Sequence, residues 1–223
     1  MSSHDRSATT RRRKSVVKPK GRRPKSDGIS AKDSIVEAYI DLLLKMGPLN
    51  VTADMIARES NVSVTTFRYY FPDWTRDLNF AAIGAMLLRT FEFVEAQMYV
   101  HRKNAKFNPL KSYIEIMFDW TDSHRRDASL LAYFYYLAST QVEHPFSNEV
   151  FLGRARLRIQ SLILEGVALG HYPMPKDRDL AALQIHSTIV GTCLVSGTER
   201  AKKDRDRQRA ICHDLVLNHI LGS

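Results

Sequence analysis

Apolar residues recur along this chain at spacings of three and four, the period of a helix with one buried face, and hardly anywhere at a period of two. The first such stretch carries Ile35, Tyr39, Leu42, Leu43 and Met46. Ser30 stands at its N-cap position and Gly47-Pro48 stops it, which predicts a helix over 30–46. Thr52 is read as the cap of a short helix to about Ser60, with Ile56 and Ala57 facing inward. Asn61 tolerates left-handed backbone and suits the turn that follows. Ser63 is read as the cap of a second short helix, which Pro72 closes, and Asp73 as the cap of a long one to about Arg102. Further helices fit 109–125, 127–140, 147–170, 177–200 and 204–221. Asn108-Pro109, His144-Pro145, and Pro173 with Pro175 mark the breaks. No Asn-Gly or Asp-Gly hairpin joins two apolar runs, and no internal repeat is visible. The expectation is an all-α protein of about nine helices.

At 223 residues, 44% of them hydrophobic, the chain is long enough to bury a full core. Its longest nearly unbroken apolar stretch, Phe80 to Leu88, is far short of the ~20 residues that span a bilayer, so no membrane segment is expected. The basic N-terminus has no apolar run after it, since Val16 and Val17 stand alone between charges, and a secretory signal is not expected. Two cysteines, Cys193 and Cys212, make neither a disulfide framework nor a structural zinc site, and point to a reducing cytoplasm. The net charge of +9 is concentrated in one place. Residues 1–28 hold ten Lys/Arg against two acids, a charge of +8, which leaves +1 for residues 29–223. That arm has almost no large apolar residues and is expected to be disordered when free. A basic arm on a neutral body favours a nucleic-acid partner over a solubilising or membrane-surface tail, which needs a second anchor that is not visible here. Lys20-Gly21-Arg22-Arg23-Pro24-Lys25 has the composition of a minor-groove arm. Insertion into a narrow groove and loose phosphate contact are both open to Arg22, Arg23 and Lys25.

The tract from Thr52 to Phe71 places two short helices on either side of a turn of about four residues. Val62, Phe67 and Phe71 are spaced to pack the second helix on Ile56 and on the first long helix. The first turn of the second helix is then expected to present Val64, Thr65 and Thr66 away from the core. This is helix-turn-helix geometry, in which those positions reach base edges in the major groove. Threonine and valine methyls suit the thymine methyl, and threonine hydroxyls bond bases or phosphate. Tyr69 and Tyr70, one turn on, have hydroxyls that reach phosphates.

The stretch from about Ile29 to Leu78 resembles the DNA-binding domain of TetR-type transcriptional regulators. The resemblance lies in Gly47, Thr52-Ala53-Asp54-Met55-Ile56-Ala57, Val62-Ser63-Val64-Thr65-Thr66 and Tyr69-Tyr70-Phe71-Pro72, with the family's internal spacing. It implies an N-terminal three-helix helix-turn-helix domain over 29–78, with the motif at about 52–71. It also implies an effector-binding and dimerisation domain over 79–223. The candidate DNA contacts are Thr52, Ser63, Val64, Thr65, Thr66, Arg68, Tyr69 and Tyr70, with Arg22, Arg23 and Lys25 from the arm. The implied activity is repression from a palindromic double-stranded DNA operator, bound as a homodimer and released by a small, mostly apolar effector. Three positions depart from the family pattern: Asn61 stands for its turn glycine, Arg68 for its tyrosine and Trp74 for its phosphate-contacting lysine. Leu78 also falls one residue late. Arg76 is expected to supply the charge that Trp74 lacks, and Asp54 is read first as an acid that favours its helix N-terminus.

Beyond residue 79 there is no Gly-rich phosphate loop, no HExxH and no G-x-S-x-G, and the scattered histidines form no i, i+4 pair. Neither an enzyme nor a cofactor or metal is expected. The helices expected at 79–102, 109–125 and 127–140 are rich in aromatic residues and Met, and Tyr133 to Tyr136 is a continuous aromatic run that covers more than one helix face. By the resemblance these helices line an effector cavity, with Tyr113, Met117, Trp120, His124, Tyr133 and Tyr136 as candidate contacts. The small residues of 177–200, among them Ala181, Ser187, Gly191 and Gly197, permit close approach of another helix. Packing within one subunit and a two-fold interface through about 177–221 explain them equally, and the resemblance favours the second. The rival reading is an effector-independent architectural protein that coats DNA with its arm.

Overall fold

The capping residues set most of the helix starts. In the computed structural model, which describes residues 30–140 and 149–222, four side chains accept a hydrogen bond from the backbone N–H three residues on. Thr52 accepts from Met55 at 3.4 Å, Ser63 from Thr66 at 3.0 Å, Asn108 from Lys111 at 3.0 Å and Asp177 from Leu180 at 2.9 Å. They open α2 (Ala53–Glu59), α3 (Val64–Tyr70), α5 (Pro109–Ser123) and α8 (Arg178–Thr198). The remaining helices are α1 (Ala31–Met46), α4 (Trp74–His101), α6 (Arg125–Thr140), α7 (Glu149–Ala168) and α9 (Lys202–Asp214). No strand occurs among the described residues. The arm with Arg22, Arg23 and Lys25, and the break at His144-Pro145, lie outside the described residues.

Several details differ from the sequence expectation. Asp73 occupies the N-cap position of α4 but its side chain caps nothing; the Asp73 N–H instead donates to Asp77 Oδ2 at 3.2 Å. Pro48–Asn50 forms a 3₁₀ turn after Gly47, whose φ of 78° lies in the left-handed region that a glycine tolerates. α5 and α6 are separated by His124 alone. The last helix widens into a π turn at Leu215–Ile220. Val216 and Leu221, both buried, are five residues apart, and the i→i+5 period keeps them on one face.

α5 is the central helix, with α4, α6, α7, α8 and α9 all packed on it. Leu110, Ile114, Ile116, Phe118 and Trp120 along it are almost completely buried. α8 is long and apolar enough to cross a membrane by length and composition, although no unbroken apolar run marks it in the sequence. Here it packs on α5, α6, α7 and α9. At the other end α1 buries Ile35, Tyr39, Ile40 and Leu43 in one core with Ile56, Phe67, Phe71 and Leu78. α1 packs on α2, α4 and α6, so the short helices are carried by α1 while α4 runs from them into the body. The domain boundary expected at 78/79 falls inside α4. At the end of α7 a Cβ on Gly166 would come within 1.9 Å of the Tyr172 hydroxyl. Its absence lets that hydroxyl donate to Leu162 O at 3.0 Å.

Candidate functional site

α2 and α3 are joined through Asn61, whose φ of 56° makes it the described non-glycine residue in the left-handed region. The turn is tied by Asn61 N–H to Arg58 O at 3.1 Å and Val62 N–H to Ala57 O at 2.9 Å. Behind it Ile56, Ala57 and Phe67 are buried, and Phe67 meets Phe71 and Trp74 at ring separations of 6.3 Å. Trp74 is thus half-buried packing for the reading unit. Arg76 is exposed but lies within 4 Å of both Asp73 and Asp77, which offset its charge.

The front of α3 differs from the expected row of Val64, Thr65 and Thr66. Val64 is half-buried and packs on the core. Thr66 is half-buried too, and its hydroxyl lies 2.8 Å from Ser63 Oγ, so this pair holds the helix start. Thr65 is exposed, as are Arg68 and Tyr69, three and four residues on, and these three form one outward stripe. Tyr69 is 81% exposed, an unusual position for a phenol that has no partner surface, and its ring meets Tyr70 edge-on at 5.3 Å. Thr52 and Asp54 are exposed at the start of α2.

The body contains a cavity of about 710 Å³, within the roughly 300–1,000 Å³ of small-molecule sites. Its walls come from α4, α5, α6, α7 and α8. Met86, Val94, Met117, Trp120, Ile159 and Ile189 form buried parts of the wall, while Leu88, Phe91 and Leu157 are lining residues that stay exposed, so the cavity opens between α4 and α7. Those two helices are joined across the cavity region by ion pairs, Arg158 with Glu95, and Arg102 with Glu165 at 3.0 Å. The Tyr135 hydroxyl and His186 Nε2, both on the lining, are 3.2 Å apart. Burial, with the charge of Arg156 adding to it, lowers the His186 pKa to about 4, so the imidazole is neutral at pH 7. Burial likewise pushes the Tyr113 hydroxyl up.

Of the six expected effector contacts, Tyr113, Met117 and Trp120 line the cavity. His124 stands behind that wall, stacked on Trp120 at 6.3 Å and edge-on to Phe93 at 4.8 Å. Tyr133 turns toward α1, near enough to Tyr39 to help raise that phenol's pKa, and the Tyr39 hydroxyl donates to Asn79 Oδ1 at 2.6 Å. Tyr136 is exposed and stacks on Tyr133. Tyr135 is the member of the aromatic run that faces the cavity. Arg154 and Arg158 from α7 and His186 from α8 were not named from sequence. Nothing in their local pattern marks them, because they meet the cavity only when α7 and α8 close on α5.

No protein-family profile matches this sequence, and no curated protein matches it. Solved structures do match the fold. The fatty acid degradation regulator FadR from Bacillus halodurans is 21% identical, with a TM-score of 0.66 over 86% of this chain and 97% of its own. A TetR transcription regulator from Haloarcula marismortui is 15% identical, with a TM-score of 0.69 over 86% and 98%. A transcriptional regulator from Saccharomonospora viridis, in complex with choline, is 20% identical, with a TM-score of 0.69 over 86% and 97%. At these identities the likeness concerns the fold: the chain has the all-α fold of TetR-type transcription regulators.

Proposed function

We propose that this chain is a DNA-binding transcription regulator that binds a palindromic operator as a homodimer, represses from it, and is released by a small, mostly apolar effector. The observation that carries the reading is the path of α4. It starts directly after the helix-turn-helix unit, and one face of it between Gly84 and Val94 lines the cavity. A ligand that shifts α4 therefore acts on the mounting of the reading unit. The choline complex of the Saccharomonospora viridis protein supports a small-molecule site in this fold.

In this reading Thr65, Arg68 and Tyr69 face the major groove, Thr65 toward base edges and the other two toward phosphate or bases. Thr52, Ser63, Thr66 and Tyr70 position the unit, and Arg22, Arg23 and Lys25 of the arm add affinity without sequence preference. Residues 1–28 serve as the arm, 29–78 as the DNA-binding domain and 79–223 as the effector and dimerisation domain. The dimer face is the outer side of α8. Leu180, Leu183, Ser187, Gly191 and Val195 are all exposed there at spacings of three and four, and only 33% of this apolar helix segment is buried. Ile211 and Leu215 extend the exposed apolar surface from the last helix. One reading unit offers too few base contacts for a specific site, and a two-fold pair doubles them.

Selection of bound sequences from random duplex DNA, followed by footprinting, tests the reading. The expected result is a discrete palindrome whose half-sites lie about one helical turn, ~34–36 Å, apart. Uniform protection without a motif would favour the architectural coat instead.

A further inference from the structure

The cavity wall is uneven in charge. Among its described lining residues two are arginines, Arg154 and Arg158, and none is Asp or Glu. The wall also contains two buried N–H donors that find no hydrogen-bond partner among the described residues: Nε1 of Trp120 and Nε of Arg158. Trp120 is 1% exposed, so its indole N–H is shut off from bulk water. Arg158 gives one Nη to Glu95 and lies over the rings of Phe91 and Tyr113, at 5.8 and 5.7 Å from their centroids. Stacking occupies the faces of a guanidinium and leaves its N–H edge for an acceptor. Glu95 itself is not part of the lining, and its side chain is 42% exposed.

These features discriminate between ligand classes. A cation finds no carboxylate among the described lining residues and meets two arginines. A wholly apolar molecule leaves two buried donors unsatisfied, which is costly. A group that only accepts hydrogen bonds and carries negative charge suits both the donors and the field. We propose that the cavity takes an amphiphile with an apolar body and one carboxylate head, the head at Arg158 and the body among Met86, Met117, Ile159 and Ile189. The proposal rests on the reading of this cavity as the effector site, and it adds the charge class of the effector. Glu95 is then a competitor: its carboxylate pairs with one Nη of Arg158 and offsets the positive charge that draws the ligand head.

The test is direct binding to the full chain without DNA, by calorimetry, of three probes with the same ten-carbon body: decanoate, decan-1-ol and decyltrimethylammonium. Decanoate should bind at least tenfold more tightly than the alcohol, and the ammonium more weakly than either. Two substitutions should then move decanoate in opposite directions. Arg158→Gln should reduce its affinity to that of the alcohol, and Glu95→Gln should tighten it several-fold by freeing the guanidinium. A purely structural ion pair would weaken binding when either partner is lost. Trp120→Phe should weaken decanoate more than the alcohol, because the indole N–H bonds a charged acceptor more strongly than a neutral one. Equal or tighter binding of the alcohol, or shifts of the same sign in the Arg158 and Glu95 variants, overturns the carboxylate class while leaving a ligand site in place. Failure of all three probes to bind overturns the carboxylate class and the cavity reading together, and the operator selection still decides DNA recognition on its own.

Discussion

Arg89 holds the carboxylate of Asp127 with two hydrogen bonds, Nε to Oδ2 at 2.8 Å and Nη2 to Oδ1 at 2.6 Å. Asp127 is buried, and the paired fork is the geometry in which a guanidinium best satisfies both carboxylate oxygens. The remaining Nη1 of Arg89 reaches Glu37 of α1 at 2.9 Å. Arg126, beside Asp127 on α6, reaches Glu37 and Asp41 of α1, both at 2.8 Å. α1, which carries the reading unit, is thereby clamped to α4 and α6. The neighbours of Arg89 on α4, Leu88 and Thr90, line the cavity. The cavity and the clamp on α1 thus share one turn of α4.

Arg89→Gln leaves a buried carboxylate without its cation. Breaking a fully buried pair costs roughly 3–5 kcal/mol, and because the Arg89 side chain is 34% exposed the expected loss is smaller, about 2–3 kcal/mol. The double variant Arg89→Met with Asp127→Leu should recover most of it, since it removes the stranded charge. Urea unfolding of the two variants checks this, and a double variant no more stable than the single would contradict it.

In the reading unit, the three neighbours on α3 should separate by kind of effect. Thr65→Ala should change base preference at one position of the selected site, by about 1–3 kcal/mol. Val64→Ala should lower stability and leave the preference unchanged, because Val64 packs inward. Arg68→Gln should weaken binding to all sequences and lower the salt slope by ~0.9 if Arg68 meets a phosphate. Affinities measured on the selected operator and its single-base variants, across a salt series, distinguish the three.

His186 gives the protein an acid sensitivity of known sign. Its folded pKa of about 4 lies below the unfolded value of 6.5, so the unfolded chain takes up the proton first. His186 costs nothing above pH 6.5, and stability falls as the pH drops from there toward 4. The loss is on the order of 3 kcal/mol at most, since His186 is only half-buried. His186→Gln keeps an acceptor for Tyr135 and cannot titrate. Thermal unfolding at pH 7.5 and pH 5 should show a larger drop for the wild type than for this variant, and equal drops would remove His186 as the cause.

Gly191 is exposed on α8, and a Cβ there would meet nothing within 4 Å. Gly191→Arg should therefore keep the fold and gain about 0.5–1 kcal/mol from the loss of a helical glycine. On the proposed dimer face it should also block close approach. Sedimentation should give a folded monomer that binds the operator weakly, and a folded dimer would place the interface elsewhere.

Local punctuation made most of the helices legible. Thr52, Ser63, Asn108 and Asp177 are caps in sequence and in structure, and Asn61 has the left-handed backbone its side chain tolerates. Legibility failed where register inside a uniform run decides the outcome. Tyr133 to Tyr136 all read alike, yet Tyr133 serves α1, Tyr135 the cavity and Tyr136 the surface. Val64 at the first turn of α3 stands at the edge of the inward arc and packs on the core, where the sequence expectation has it facing outward. Arg158 and His186 were unreadable because their role depends on which helices close around α5, a long-range fact that their neighbours in sequence do not encode.

In the proposed reading, operator and effector bind one protein in opposition. Thermodynamic reciprocity makes it measurable from either side: if ligand weakens operator binding a hundredfold, a coupling of about 2.7 kcal/mol, operator must weaken ligand binding by the same factor. The decisive measurement is the dissociation constant of decanoate for the full chain, with and without saturating selected operator. A value many-fold weaker in the presence of operator is the predicted result. Equal values in the two conditions would show that the cavity and the operator site are uncoupled.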